Sequence, residues 1–309
     1  MKKLFINFSI SLLSVLFCSF VSEIFFRYFY VESDGLGITL SHKRWGDKYW
    51  KPVNSLSFRD REWTPNDLAD KQVIGVLGDS FVAGHGIKNT ADRFSNILAN
   101  KLGNSYAVLN LGSPGIGTET ELLILKVYPY KFDTVILSYF PNDILDAAKK
   151  YGRLPPDVIE VPKGLVGKAI SSSYFLNFVY WNIFRIYGLK RNHFQWLQNQ
   201  FYDSLIWSAH KEELEQICEL TKSKNEKLIV VLFPFLTKEA NSDLILQRVS
   251  EVFKEHAVEV LDVSKVIYGM KEKELVVSKI DAHPSVKLHE LVGDALYKVV
   301  LDIKRLPSN

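Results

Sequence analysis

The sequence predicts an α/β protein built on a parallel sheet, and three observations carry that expectation. From Gln72 onward, short runs of aliphatic and β-branched residues alternate with segments of helical periodicity, the pattern of βαβ units joined by right-handed crossovers. The first run, residues 73–77, breaks sharply at Gly78-Asp79-Ser80; parallel sheets deliver functional residues at the carboxyl ends of their strands. Further strand ends are followed by glycine or polar clusters, as chemistry-bearing loops would be.

The elements follow in order. Strands are predicted at residues 73–77, 107–111, 132–139, 227–233 and 258–263. Helices are predicted at 92–102, 118–127, 205–223 and 242–256, and from Pro284 to about Lys304. The chain has 309 residues, enough for one large α/β domain with an insertion. Hydrophobic residues at 47% and charged residues at 24% describe a folding sequence rather than a disordered one. A net charge of +3, evenly spread, excludes a basic nucleic-acid surface. The two cysteines, Cys18 and Cys218, give no disulfide framework, and no His or Cys pair has metal-ligand spacing, so neither metal nor cofactor is expected.

Residues 1–30 read as a membrane anchor. After Lys2 and Lys3 comes an uncharged stretch from Leu4 to Ser22, close to the ~20 residues that span a bilayer as a helix. The two lysines favour a cytoplasmic N-terminus, which places the rest of the chain outside the cytoplasm, in the periplasm or at the cell surface. Phe25, Phe26, Tyr28, Phe29 and Tyr30 resemble an interfacial aromatic belt. A cleaved signal peptide is the rival reading, although no small-x-small site ends the run; a buried core helix is a third. Residues 31–71 read as an extended lead-in anchored by Trp45, Trp50 and Trp63, and the charge cluster from Phe58 to Glu62 reads as a solvated, salt-bridged turn.

An insertion interrupts the alternation at about residues 145–204, long for a connection in such a fold. It holds a charge-free stretch, 169–184, with Tyr174, Phe175, Phe178, Tyr180 and Trp181, followed by the cations Arg185, Lys190 and Arg191. It reads as a cap over the site or a surface lying on the membrane, as a helical hairpin with its own small core, or as a second span. The remaining residues, 72–309, form the expected catalytic domain around it.

Four clusters carry the chemistry: Gly78-Asp79-Ser80 after the first strand, a glycine loop from Asn110 through Gly112 and Gly115 after the second, Asn142-Asp143 after the third, and Asp281-Ala282-His283-Pro284 before the last helix. Converging at one sheet edge, they supply a nucleophile, backbone donors, an amide donor, and a base with its orienting carboxylate.

On these blocks the chain resembles the SGNH, or GDSL-type, hydrolases over residues 72–304 apart from the insertion. The resemblance implies a three-layer flavodoxin-like sandwich with a five-stranded parallel sheet. It implies Ser80 as nucleophile, His283 as base and Asp281 as its partner. It also implies an oxyanion hole from the Ser80 backbone N–H, the Gly115 N–H and the Asn142 side chain, with Gly112 as second choice and Asp79 and Asp143 in support. The family's last block sets the aspartate three residues before the histidine; here Asp281 is two before His283, and in an extended segment positions i and i+2 face the same way. His85, five residues after Ser80, lines the pocket in this reading. His42, His193, His210, His256 and His289 read as surface or helix-face residues.

The expected activity is hydrolysis of acyl esters of lipid or cell-envelope glycan. An O-acyltransferase modifying an envelope polysaccharide and a non-catalytic carbohydrate-binding protein on the same fold are the alternatives.

Overall fold

The computed structural model describes residues 2–156, 162–187, 192–237 and 241–305. Five parallel strands form its central sheet: β1 (Gln72–Gly78), β2 (Tyr106–Gly112), β3 (Thr134–Tyr139), β4 (Lys227–Leu232) and β5 (Glu259–Asp262), in the order β2-β1-β3-β4-β5. The chain winds outward in both directions from β1 and β3, which makes the crevice beyond their carboxyl ends the topological switch point.

Side chains alternate across the sheet. Val73 and Leu77 of β1, Val135 and Leu137 of β3 and Val230 and Leu232 of β4 enter one core; Ile74, Val76, Ile136, Ile229 and Val231 enter the other. The first core is closed by α6 (Thr118–Val127), α7 (Leu145–Lys150), α10 (Asn192–Tyr202), α11 (Ser204–Ser223) and α12 (Asp243–Glu255). The second is closed mainly by α5 (Phe94–Leu102) and α15 (Val286–Arg305), through Phe94, Leu98, Leu288, Val292 and Leu296. Helices on both faces of the sheet make the three layers that the family resemblance implies. Further helices are α2 (Leu40–Tyr49), α3 (Pro65–Leu68), α4 (Ser80–Ala83), α8 (Gly164–Ser172), α9 (Tyr174–Tyr187), α13 (Val263–Val266) and α14 (Glu272–Leu275). A two-stranded antiparallel hairpin, β6 (Val276–Ser278) and β7 (Asp281–Pro284), was not predicted. The lead-in is not simply extended, since it contains α2 and α3.

The chain divides into two compact units, Met1–Lys48 with Asp157–Lys190, and Tyr49–Pro156 with Arg191–Asn309. The second carries the sheet and both cores. The interruption is thereby split: α10 packs Leu197 and Phe201 into the first core, whereas α8 and α9 belong to the first unit.

The first unit is built on α1 (Lys2–Tyr28). Its apolar residues from Leu4 to Val21 stay largely exposed, and it is long and apolar enough to cross a membrane. Its far end is pinned. The Glu23 carboxylate accepts from Ser173 Oγ (2.7 Å), Tyr174 N (3.1 Å) and Phe175 N (2.9 Å), and pairs with Arg27 at 2.6 Å. A carboxylate from one helix thus caps the N-terminus of another, satisfying donors that would otherwise lack partners. Phe26 stacks on Phe178 at 4.2 Å and on Phe175 at 5.9 Å. Phe26 and Tyr30 are therefore packing residues, and the expected aromatic belt is reduced to Phe25, Tyr28 and Phe29, which stay exposed. Asn177 of α9 accepts from Leu40 N and donates to the Ile170 carbonyl, tying α2, α8 and α9 together. Lys190 and Arg191 of the expected cation cluster lie outside the described residues.

Candidate active site

The site begins at the end of β1. Asp79 caps the short helix α4, its Oδ1 accepting from Phe81 N at 2.8 Å, so the first residue of that helix, Ser80, projects into the crevice. Behind it, Gly112 allows β2 to approach: a Cβ there would stand 2.1 Å from Ala83 N. Asn110 fixes the same loop from its side chain, donating to the Val82 carbonyl (2.7 Å) and Ser95 Oγ (2.8 Å) and accepting from Gly112 N (3.1 Å).

The β6–β7 hairpin brings the partners of Ser80. Asp281 and His283 alternate with Ala282 along β7 and so share a face. Asp281 Oδ1 accepts the His283 backbone N–H at 3.2 Å and its Nδ1–H at 2.6 Å. With Nδ1 carrying the proton, Nε2 is the acceptor, and it stands 2.8 Å from Ser80 Oγ. The two-residue spacing is thus a working geometry, because one carboxylate oxygen reaches both the backbone and the ring of a residue two positions on. Asp281 is fully buried and His283 partly so.

Asn142, in the turn after β3, donates from Nδ2 to Asp79 Oδ2 at 3.3 Å; the same oxygen lies 3.4 Å from Ser80 Oγ. Burial pushes the Asp79 carboxyl above its ordinary pKa, against the lowering pull of its hydrogen bond from Phe81 N and of nearby His283. The glycine candidates separate. The Gly112 N–H is committed to Asn110, whereas Gly115 is exposed at φ +78°. Asp143 is fully buried. Its Oδ2 accepts from Phe140 N at 2.9 Å, and burial together with Glu121 and Asp79 raises its pKa well above the carboxylate range. Glu121, also fully buried, is raised in the same way by burial first and then by Asp79, Asp146 and Glu213.

Three features went unread in the sequence. The cluster at 58–62 is not a solvated turn. Arg59 is 0% exposed and donates to the carbonyls of Gly84 (2.7 Å), Ile87 (2.8 Å) and Tyr49 (2.7 Å). Asp60 accepts from Asn110 N (2.9 Å) and Trp63 Nε1 (2.8 Å). Only Arg61 and Glu62 behave as the surface charges expected. His210 and His289 face inward, His210 between Tyr139 OH (3.0 Å) and Glu213 (3.3 Å). Burial, helped by Arg93, pushes His289 down to about 3, so it stays neutral and its Nδ1 accepts from Phe94 N. The third feature is His85, whose ring stacks on His283 with centroids 4.0 Å apart.

His85, Asp281 and His283 gather ligand-type atoms within 4.8 Å of one another, a grouping the linear spacing did not reveal. The two rings lie nearly parallel, at 20°. Imidazole binds metal in its own plane, and stacked rings send their lone pairs along parallel lines, so the arrangement does not suit one shared ion.

Asp281, His283 and Ser80 thus form a hydrogen-bonded relay at the switch point of a 2-1-3-4-5 sheet. The chain is similar to several solved structures. One is a member of the lipolytic protein G-D-S-L family from Veillonella parvula (16% identity, 76% of this chain and 99% of that one, TM-score 0.45). Another is a carbohydrate acetylesterase family member from Sinorhizobium meliloti (14%, 76% and 100%, 0.44). A third is the aryl esterase of M. smegmatis (14%, 75% and 99%, 0.43). No protein-family model and no curated protein matches the chain.

Proposed function

We propose that this chain is a membrane-anchored serine hydrolase that cleaves acyl esters of lipid or cell-envelope glycan outside the cytoplasm. The observation that carries the reading is the continuous relay from Asp281 Oδ1 through both His283 nitrogens to Ser80 Oγ, with spacings of 2.6 and 2.8 Å. A serine hydroxyl is a poor nucleophile near neutral pH and needs a base within hydrogen-bond reach. In this reading Ser80 Oγ attacks the ester carbonyl while its proton passes to His283 Nε2, and Asp281 stabilises the imidazolium. The oxyanion is met by the Ser80 N–H, the Gly115 N–H and the Asn142 amide, which turns from Asp79 as the negative charge develops beside it. Collapse expels the alcohol, which takes the proton from His283. Water then adds to the acyl-enzyme by the same route and releases the acid, restoring Ser80.

The test is labelling by a fluorophosphonate probe together with a screen of acyl esters of increasing chain length, with and without an added oligosaccharide. Wild-type protein should label at Ser80 and release free acid over many turnovers, and Ser80→Ala and His283→Ala should do neither while folding normally. Wild-type turnover in Ser80→Ala overturns the assignment. Acyl groups recovered on the sugar, with no acid released in its absence, replace hydrolysis by transfer.

A further inference from the structure

We propose that His85 is a positioning residue of this site: its ring, stacked on His283, holds that imidazole between Ser80 and Asp281 and couples the protonation of the two rings. The inference rests on the hydrolase reading for its kinetic consequence, but not for its geometry.

The placement is built in from several sides. The His85 backbone N–H donates to the Ser80 carbonyl at 3.0 Å, which ties it to the nucleophile's own turn. Gly84 and Gly86 flank it at φ +73° and +81°, the left-handed region that glycine adopts without cost. Neither glycine has room for a side chain: a Cβ on Gly84 would meet Arg93 Cδ at 2.5 Å, and one on Gly86 would meet Val277 Cγ2 at 2.6 Å and Asp281 Oδ2 at 3.0 Å. Arg59 clamps the Gly84 and Ile87 carbonyls on either side. The loop therefore cannot relax away from the hairpin, and His85 is buried where it stacks.

The coupling follows from shared charge. Asp281 directs Oδ1 at His283 and has Oδ2 3.8 Å from His85 Nε2. When His283 accepts the serine proton, a neutral His85 leaves the whole carboxylate charge to the new imidazolium. A protonated His85 would draw on that charge and repel the imidazolium across 4.0 Å. Among the described residues, the other groups near the rings are Asp79 and Ser80 at the start of α4, Arg59 and Arg93 behind Gly84, and His289 from α15. The arginines stay charged and His289 stays neutral across pH 5 to 8.

His85→Phe keeps a flat ring and removes the ionisation; His85→Ala removes the stack. His85→Phe should hold plateau kcat within about threefold while the acid limb of the pH profile moves up by about half a unit or more, because a competing imidazole beside Asp281 and His283 is gone. His85→Ala should lower kcat roughly ten- to hundredfold with KM little changed. The low-field proton resonance of His283 Nδ1–H, titrated in wild type and in His85→Phe, reads the same coupling without turnover and should show the same upward shift. Coincident titrations overturn the coupling, and wild-type kcat in His85→Ala overturns the positioning role. A shifted resonance in protein whose Ser80 does not label would support the coupling while refuting ester hydrolysis.

Discussion

Around Ser80, the reactive groups differ in how firmly each is held, and that difference orders the expected effects of removing them. Asp281 is buried and gives one oxygen to both the backbone and the ring of His283. Asp281→Asn would present the wrong donor pattern to Nδ1 and favour the tautomer whose Nε2 can no longer accept. The loss in kcat should therefore approach ~10⁴-fold, as when a triad carboxylate is replaced by an amide. Among the described residues, the Asn142 side chain is held by a 3.3 Å bond to Asp79 Oδ2. In the hydrolase we propose, Asn142→Ala removes one oxyanion donor and should cost about 10²–10³-fold in kcat with little change in KM. Steady-state kinetics on one acyl ester ranks the two, and an Asn142→Ala variant with unaltered kcat would remove Asn142 from the oxyanion hole. Ser80, Asn142, Asp281 and His283 could be found in the sequence because each follows a strand end or precedes a helix in a recognisable block. The stacking of His85 could not, because it depends on a loop and a strand 198 positions apart in sequence meeting face to face.

At the scale of elements, the buried acids beneath the β3 turn set a pH dependence. Glu121 and Asp143 are raised well above the ordinary carboxylate range by burial and by each other's neighbourhood. The folded state therefore holds protons that the unfolded chain has already released above about pH 4–5. Stability is fully present below the unfolded pKa and falls as pH rises toward the folded one. Glu121→Gln removes one such group, so its melting temperature should exceed that of wild type more at pH 8 than at pH 5. Each kcal/mol regained corresponds to roughly 2–4 °C in a domain of this kind. Thermal melts at both pH values measure the difference, and identical shifts at the two would refute the account. The same elements show what a sequence reading can reach. Strands β1, β3 and β4 were legible because burial on both faces demands continuous apolar runs. The β6–β7 hairpin was not, since strands of three and four residues carry too little periodicity. Arg59 and Asp60 were misread because charge usually signals solvent; here the arginine fills unmet carbonyls around the catalytic turn and the aspartate meets unmet N–H donors.

Taken whole, the molecule joins a sheet-bearing unit to one organised on an exposed apolar helix. Helix α1 has 27 residues, which at ~1.5 Å each give about 40 Å, more than the ~30 Å of a bilayer's hydrocarbon core. Its apolar side chains from Leu4 to Val21 find no cover within their own unit, and so long an apolar surface is costly in water. Glu23, by contrast, has its carboxylate met by Ser173, Tyr174, Phe175 and Arg27. That lock was hidden in the sequence because a lone acid after an apolar run says nothing of the segment some 150 residues later that it caps. In the orientation we propose, Lys2 and Lys3 hold the N-terminus in the cytoplasm, and everything beyond Tyr28 lies on the opposite side. The full-length protein should stay with the membrane through alkaline carbonate washing and leave it only in detergent. In right-side-out vesicles, added protease should reach the residues after α1 without lysis. Glu23→Ala should leave membrane retention intact but open α8 and α9 to faster cleavage, because the N-terminus of α9 then loses the carboxylate that satisfies it. Release of the wild-type chain by carbonate would show that α1 does not span, and protection of the C-terminal unit in intact right-side-out vesicles would reverse the orientation.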